Sequence, residues 1–207
     1  MSPSLTAFAR GTRPFIEAAE RLVTAFTPSA WTRVVRQQAT QRLWAEARQI
    51  LPRFVLLSGL LSLALVHIVV TTSDNYGLSG FALATVMRLL VVELLPLLAA
   101  VNVALVPPTR GAGVPQVISR SLLVIVMATL SSVLALIIAY LGMYGFNPWG
   151  LGIYTHTVGQ VFEPIVLIAL AMKTLLFAMT VATLNSAALT FGALLGIEVL
   201  LLVIEFL

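Results

Sequence analysis

The pattern of apolar and polar positions changes character near residue 50. Before it, apolar residues recur every three or four positions among charges; after it, they run together in long blocks. In Arg13–Phe26, the residues Phe15, Ile16, Ala19, Leu22, Val23 and Phe26 fall on one side of a helix, and Arg13, Glu17, Glu20 and Arg21 on the other. This stretch predicts an amphipathic helix, too polar to span a bilayer and suited to its surface. Thr27-Pro28-Ser29 ends it. Trp31–Ile50 predicts a second helix, with Trp31, Val34, Val35, Leu43 and Trp44 among arginines and glutamines. Tryptophan mixed with arginine favours the headgroup layer.

The blocks that follow predict five transmembrane helices, at 54–72, 78–106, 117–140, 161–184 and 187–207. Each approaches or exceeds the roughly 20 apolar residues that cross the hydrocarbon of a bilayer. They lack the two-residue alternation of a membrane barrel strand. The expected fold is an all-α integral membrane protein, with an N-terminal amphipathic interfacial helix plus five transmembrane helices. Residues 1–50 form the cytoplasmic or interfacial part and 51–207 the five-span part. Pro52 and Arg53 lead into the first span. Gly142–Gln160 reads as an uncharged loop whose Tyr144, Phe146, Trp149 and Tyr154 suit a membrane–water boundary. The fourth and fifth spans are so close that a turn is required at Asn185–Ser186, since one unbroken helix would far exceed the bilayer.

Composition agrees with this picture and adds an orientation. The chain has 207 residues, of which 59% are hydrophobic and only 10% charged, outside the range of soluble domains. Eight arginines, at 10, 13, 21, 33, 36, 42, 48 and 53, precede the first long apolar block. Positive charge marks the cytoplasmic side, so the N-terminus is expected inside and, after five spans, the C-terminus outside. These arginines alternate with apolar residues and form no basic domain, so nucleic acid is not an expected partner. Cysteine is absent, which removes disulfide, thiolate and sulfur–metal chemistry.

Within the spans, Glu93 and Lys173 are the clearest mid-membrane charges. Each alone is costly at that depth, so the two are expected to pair across the second and fourth spans. Arg88 competes for Glu93 or snorkels outward. Such a pair either locks two helices or exchanges partners during a transport cycle. Pro96 predicts a kink in the second span, and Asn102 a polar contact between helices. Pro107, Pro108, Thr109 and Arg110 form a turn on the cytoplasmic side where a soluble partner can touch. His67 is expected to be buried and hydrogen-bonded; with His156 the only other histidine, no metal site is expected. There is no phosphate-cradling glycine loop and no nucleophile–base grouping, so the chain is not expected to be an enzyme. Any energy source belongs to another chain.

Two stretches carry a family resemblance. Val91-Val92-Glu93-Leu94-Leu95-Pro96-Leu97-Leu98-Ala99-Ala100 is similar to the Leu-x-Glu-Leu-x-Pro motif and following small residues of the second span in the MlaE/YrbE permeases. Lys173-Thr174-Leu175-Leu176-Phe177 resembles the Lys-Ser step that precedes a Phe-rich stretch late in that family. The amphipathic first helix, the arginine-rich second helix with its Leu-Pro-Arg-Phe end, and the five spans resemble the same family. This family supplies the membrane subunits of MCE-type lipid ABC transporters. The resemblance implies a bacterial inner-membrane permease moving phospholipid or a similar hydrophobic substrate. It implies a homodimer or a heterodimer with a related permease, a cytoplasmic ATPase subunit that holds ATP and Mg, and a periplasmic MCE lipid-binding subunit. No cofactor is expected in this chain. Val92 stands where the family has arginine, and Gly111–Ser119 is too short for the family's ATPase-docking segment. That departure leaves a second expectation, a non-transporting scaffold or assembly subunit of the same kind of complex.

Overall fold

The computed structural model describes residues 20, 23, 32–76, 84–85, 87–106, 114–183, 194–195 and 197–199. Among them there is no strand, and four helices are long and apolar enough to cross a membrane. The helices are α1 (Arg33–Tyr76), α2 (Arg88–Leu105), α3 (Val114–Tyr144), the short α4 (Leu151–Val161) and α5 (Pro164–Thr183). A further helical stretch is described at 194–195 and 197–199. Of the amphipathic helix expected at 13–26, only Glu20 and Val23 are described, both helical and exposed. The turn at Asn185–Ser186 lies outside the described residues, as do Pro107, Pro108, Thr109 and Arg110.

Helix α1 joins two elements that the sequence separates. The Thr32 hydroxyl caps its start by accepting from the Val35 amide at 3.4 Å, and the helix then runs 44 residues straight through Pro52. A proline at this place removes one backbone hydrogen bond. Burial of Ile50 and Phe54 on either side of it holds the helix together, while Pro52 itself faces outward. At 1.5 Å per residue α1 is about 66 Å long, more than twice the hydrocarbon thickness.

Helix α2 has an irregular first half. Arg88–Leu94 is π-helical and Leu95–Leu105 is α-helical. Pro96 explains the junction. It has no N–H to give the preceding turn, and an open turn relieves the clash of its ring with that turn. The Leu95 amide accordingly reaches five residues back, to the Leu90 carbonyl. The kink expected at Pro96 thus takes the form of a widened helix just before it.

Helix α3 is the hub, packing against α1, α2 and α5. Its buried side forms two core layers. One joins Leu123, Val124 and Met127 to Phe54, Val103 and Phe177; the other joins Ala135 and Ala139 to Val66, Leu90, Leu95 and Tyr154. Ser58, Ser62 and Ser131 are buried at these contacts and return their hydroxyls to their own helices. The outward faces are apolar too: Leu56, Leu60, Leu63, Val126, Val133, Ile137, Ile165 and Ile168 are all exposed. A surface of that kind suits hydrocarbon rather than water.

The uncharged loop expected at Gly142–Gln160 is instead mostly helical. α3 continues to Tyr144 and ends on Gly145, whose φ of 62° lies in the left-handed region that glycine tolerates. A 3₁₀ turn (Pro148–Gly150) then leads into α4. Gly150 sits so close to the Tyr144 ring that a Cβ there would come within 2.5 Å of it. Tyr154, Val158 and Val161, at helical spacing, turn α4 onto the core layer of Val66, Leu90 and Leu95.

Candidate functional site

Three charged side chains from three helical stretches meet inside the bundle. Glu93 sits near the end of the π-helical stretch of α2, and Lys173 lies midway along α5. The Lys173 ammonium donates to Glu93 Oε2 and, at 3.0 Å, to Glu198 Oε1. The side chain of Lys173 is 6% exposed, and those of Glu93 and Glu198 are 16% and 14% exposed. An ammonium so sheltered must be matched by negative charge, and here it bridges two carboxyl groups.

The expected Glu93–Lys173 pair is therefore present, with Glu198 as a third member. Glu198 interrupts an apolar run as Glu93 does, and that interruption was the available signal. Arg88 is exposed at the first turn of the π-helical stretch. Pro96 is buried at the start of the α-helical half. Asn102 departs from expectation: its amide donates to the Leu98 carbonyl of its own helix at 3.0 Å, rather than across to a neighbour. His67 departs as well, being exposed on α1. Among the described residues no group of His, Asp and Glu is placed to hold a metal ion.

A second polar joint lies at the other end of α2. Arg120, 4% exposed, donates from Nη2 to the carbonyls of Val103 at 2.6 Å and Val106 at 2.5 Å. The Val103 carbonyl lies in the last turn of α2 and also accepts from the Val106 amide at 3.3 Å, and Val106 is the first residue beyond the helix, where carbonyls lack intrahelical partners. The Glu46 carboxylate, itself buried on α1, acts electrostatically on Arg120. One guanidinium thus ties together the ends of α2 and α3 and the flank of α1.

Between α3, α4 and α5 lies an apolar cavity of about 590 Å³. Val91 of α2, Ala128 and Leu136 of α3, Phe162 after α4, and Leu170 and Leu175 of α5 line it, with hydroxyls from Thr129, Ser132 and Thr174. Its size is that of pockets that hold one small hydrophobic ligand. Several lining residues, among them Val133, Leu167 and Leu175, are exposed on the apolar outer face, so the cavity opens sideways.

The chain matches no protein-family model, no curated protein and no solved structure. What the site can do rests on its own geometry. The triad joins α2, α5 and the last described stretch through charge, and the cavity offers an uncharged recess next to α5.

At the end of the bundle near α4, three phenol rings pack together. Tyr154 meets Tyr140 and Tyr144 edge-on at centroid distances of 5.2 and 6.3 Å. Its hydroxyl donates to the Leu136 carbonyl at 2.6 Å. Burial, and then the neighbouring Tyr144, push the Tyr154 phenol up to about 12.

Proposed function

We propose that this chain is the membrane-spanning permease subunit of an MCE-type lipid ABC transporter in a bacterial inner membrane. It moves phospholipid or a similarly hydrophobic molecule and leaves ATP hydrolysis to a separate cytoplasmic subunit. The observation that carries this reading is the uncharged, sideways-opening cavity of about 590 Å³ beside a helix bundle with an apolar exterior. A recess of that lining, at hydrocarbon depth, has no use for a polar solute and accepts an acyl chain. The motif around Glu93 and Pro96 and the step at Lys173 support the same assignment. In this reading the N-terminus is cytoplasmic and the C-terminus periplasmic. The chain acts as a dimer, with itself or with a related permease, and a periplasmic MCE subunit sits above it.

The second reading is a scaffold in the same kind of complex. The shortness of the connection between Val106 and Val114 favours it, because seven residues leave no room for an ATPase-docking segment. Gentle purification in detergent separates the two. A transporter brings with it an ATPase and bound phospholipid, and its ATPase rate responds to Glu93→Gln or Lys173→Gln. A scaffold brings partners without lipid, and the rate does not change. Recovery of the folded chain with neither ATPase nor lipid would overturn both readings.

A further inference from the structure

We propose that Glu93, Lys173 and Glu198 form a proton-binding site, in which one exchangeable proton is held between the two carboxyl groups beside the ammonium. The proposal does not depend on the lipid reading.

Lys173 supplies one positive charge to two carboxyl groups, and all three side chains are largely sheltered. With both carboxyls ionised, the triad carries a net charge of minus one at a depth where unbalanced charge is costly. One added proton brings it to zero.

Geometry says where the proton goes. Because Glu93 and Glu198 both accept from the one Lys173 ammonium, their carboxyl groups lie close together. Two ionised carboxylates present only lone pairs to each other and repel at that range. A single proton turns the contact into an O–H···O hydrogen bond. Glu198 has an atom free for it: Oε1 accepts from Lys173, whereas Oε2 is buried without a hydrogen-bond partner among the described residues. A proton on Oε2, donated to Glu93, satisfies that atom and removes the repulsion. On release the proton passes to water and leaves both carboxylates on Lys173; on uptake it returns from hydronium.

Among the described residues, charges on the surrounding elements do not substitute for it. The charged groups that act on Glu198 are Lys173 and Glu93. On α3, Arg120 is engaged with the carbonyls of Val103 and Val106 and faces Glu46 of α1. Arg88 of α2, Arg53 and His67 of α1, and Glu163 before α5 have exposed side chains.

Infrared spectroscopy of the full chain in lipid bilayers tests this. A protonated carboxyl has its own carbonyl stretch, distinct from that of a carboxylate and shifted in heavy water. Wild type minus Glu198→Gln, and wild type minus Glu93→Gln, should each show the loss of one such band. Either glutamine leaves a single carboxylate on Lys173 and no need for the proton. Lys173→Gln should do the opposite and double the band, because two carboxyls then have no cation. Glu198→Asp keeps a carboxyl, so it should keep the band at a shifted position. An acid band unchanged in both glutamine variants, or lost in only one, overturns the shared proton.

Discussion

At the scale of single residues, a lysine between two glutamates makes charge composition matter more than any one position. Glu93→Lys should destabilise the folded chain by about 3–5 kcal/mol, the usual cost of leaving a buried charge without its partner. Adding Lys173→Glu should recover most of that loss, because one ammonium again faces two carboxyl groups; thermal unfolding in detergent measures both. If the double variant is no better than Glu93→Lys, the direct contact does not carry the stability. Tyr154 gives a pH test. Its phenol is held neutral in the fold, up to about 12 against an ordinary 10.0. Between those values the unfolded chain has lost this proton and the folded chain still holds it. Folded stability therefore falls as pH rises through that window. Tyr154→Phe should remove an absorbance step centred at about pH 12 from the tyrosinate titration.

The residues that were readable in the sequence explain why others were not. Glu93 and Lys173 stand alone in long apolar runs, so pairing followed from cost alone. Glu198 does so too, but its distance from Glu93 and Lys173 along the chain gave no hint that the helices bring it to the same depth. Asn102 was misread because a helix offers its own carbonyl four residues back, and that local acceptor was enough.

At the scale of elements, apolar blocks foretold the four helices long enough to cross a membrane better than they foretold their ends. α1 ignores Pro52 because packing on both sides outweighs one missing hydrogen bond. α4 was hidden because its inward residues, Tyr154, Val158 and Val161, are few and its outward ones uncharged, so the stretch resembled a loop. The joint at Arg120 was invisible, since it depends on where α2 ends relative to α3. Arg120→Met should cost on the order of 3 kcal/mol, from the loss of charge-assisted bonds to two carbonyls at the end of α2. Hydrogen exchange should quicken at residues 100–106 and not at Tyr154. Equal quickening everywhere would mean that the joint is not local.

For the whole molecule, an alternating path through the bundle sets which parts share a side. α1, α2 and α3 are each long and apolar enough to cross a membrane, and three successive crossings would set the first half of α1 and the short helix α4 on opposite faces. Cysteine is absent from the natural sequence, which makes single-cysteine labelling clean. Gln37→Cys and Thr155→Cys, both at exposed positions, should react with a membrane-impermeant maleimide from opposite sides of sealed vesicles. Labelling of both from one side would refute the crossing order.

The reach of α1 has a mechanical consequence. Its apolar half packs along α3, and its arginine-bearing half continues the same unbroken rod, with Leu43 and Ala47 against the core and Ala39 and Glu46 buried. A rod anchored in this way is a lever. A small tilt of the anchored half sweeps the far tip through a larger arc, so slight rearrangements in the bilayer are felt, magnified, by whatever touches that tip in the surrounding water.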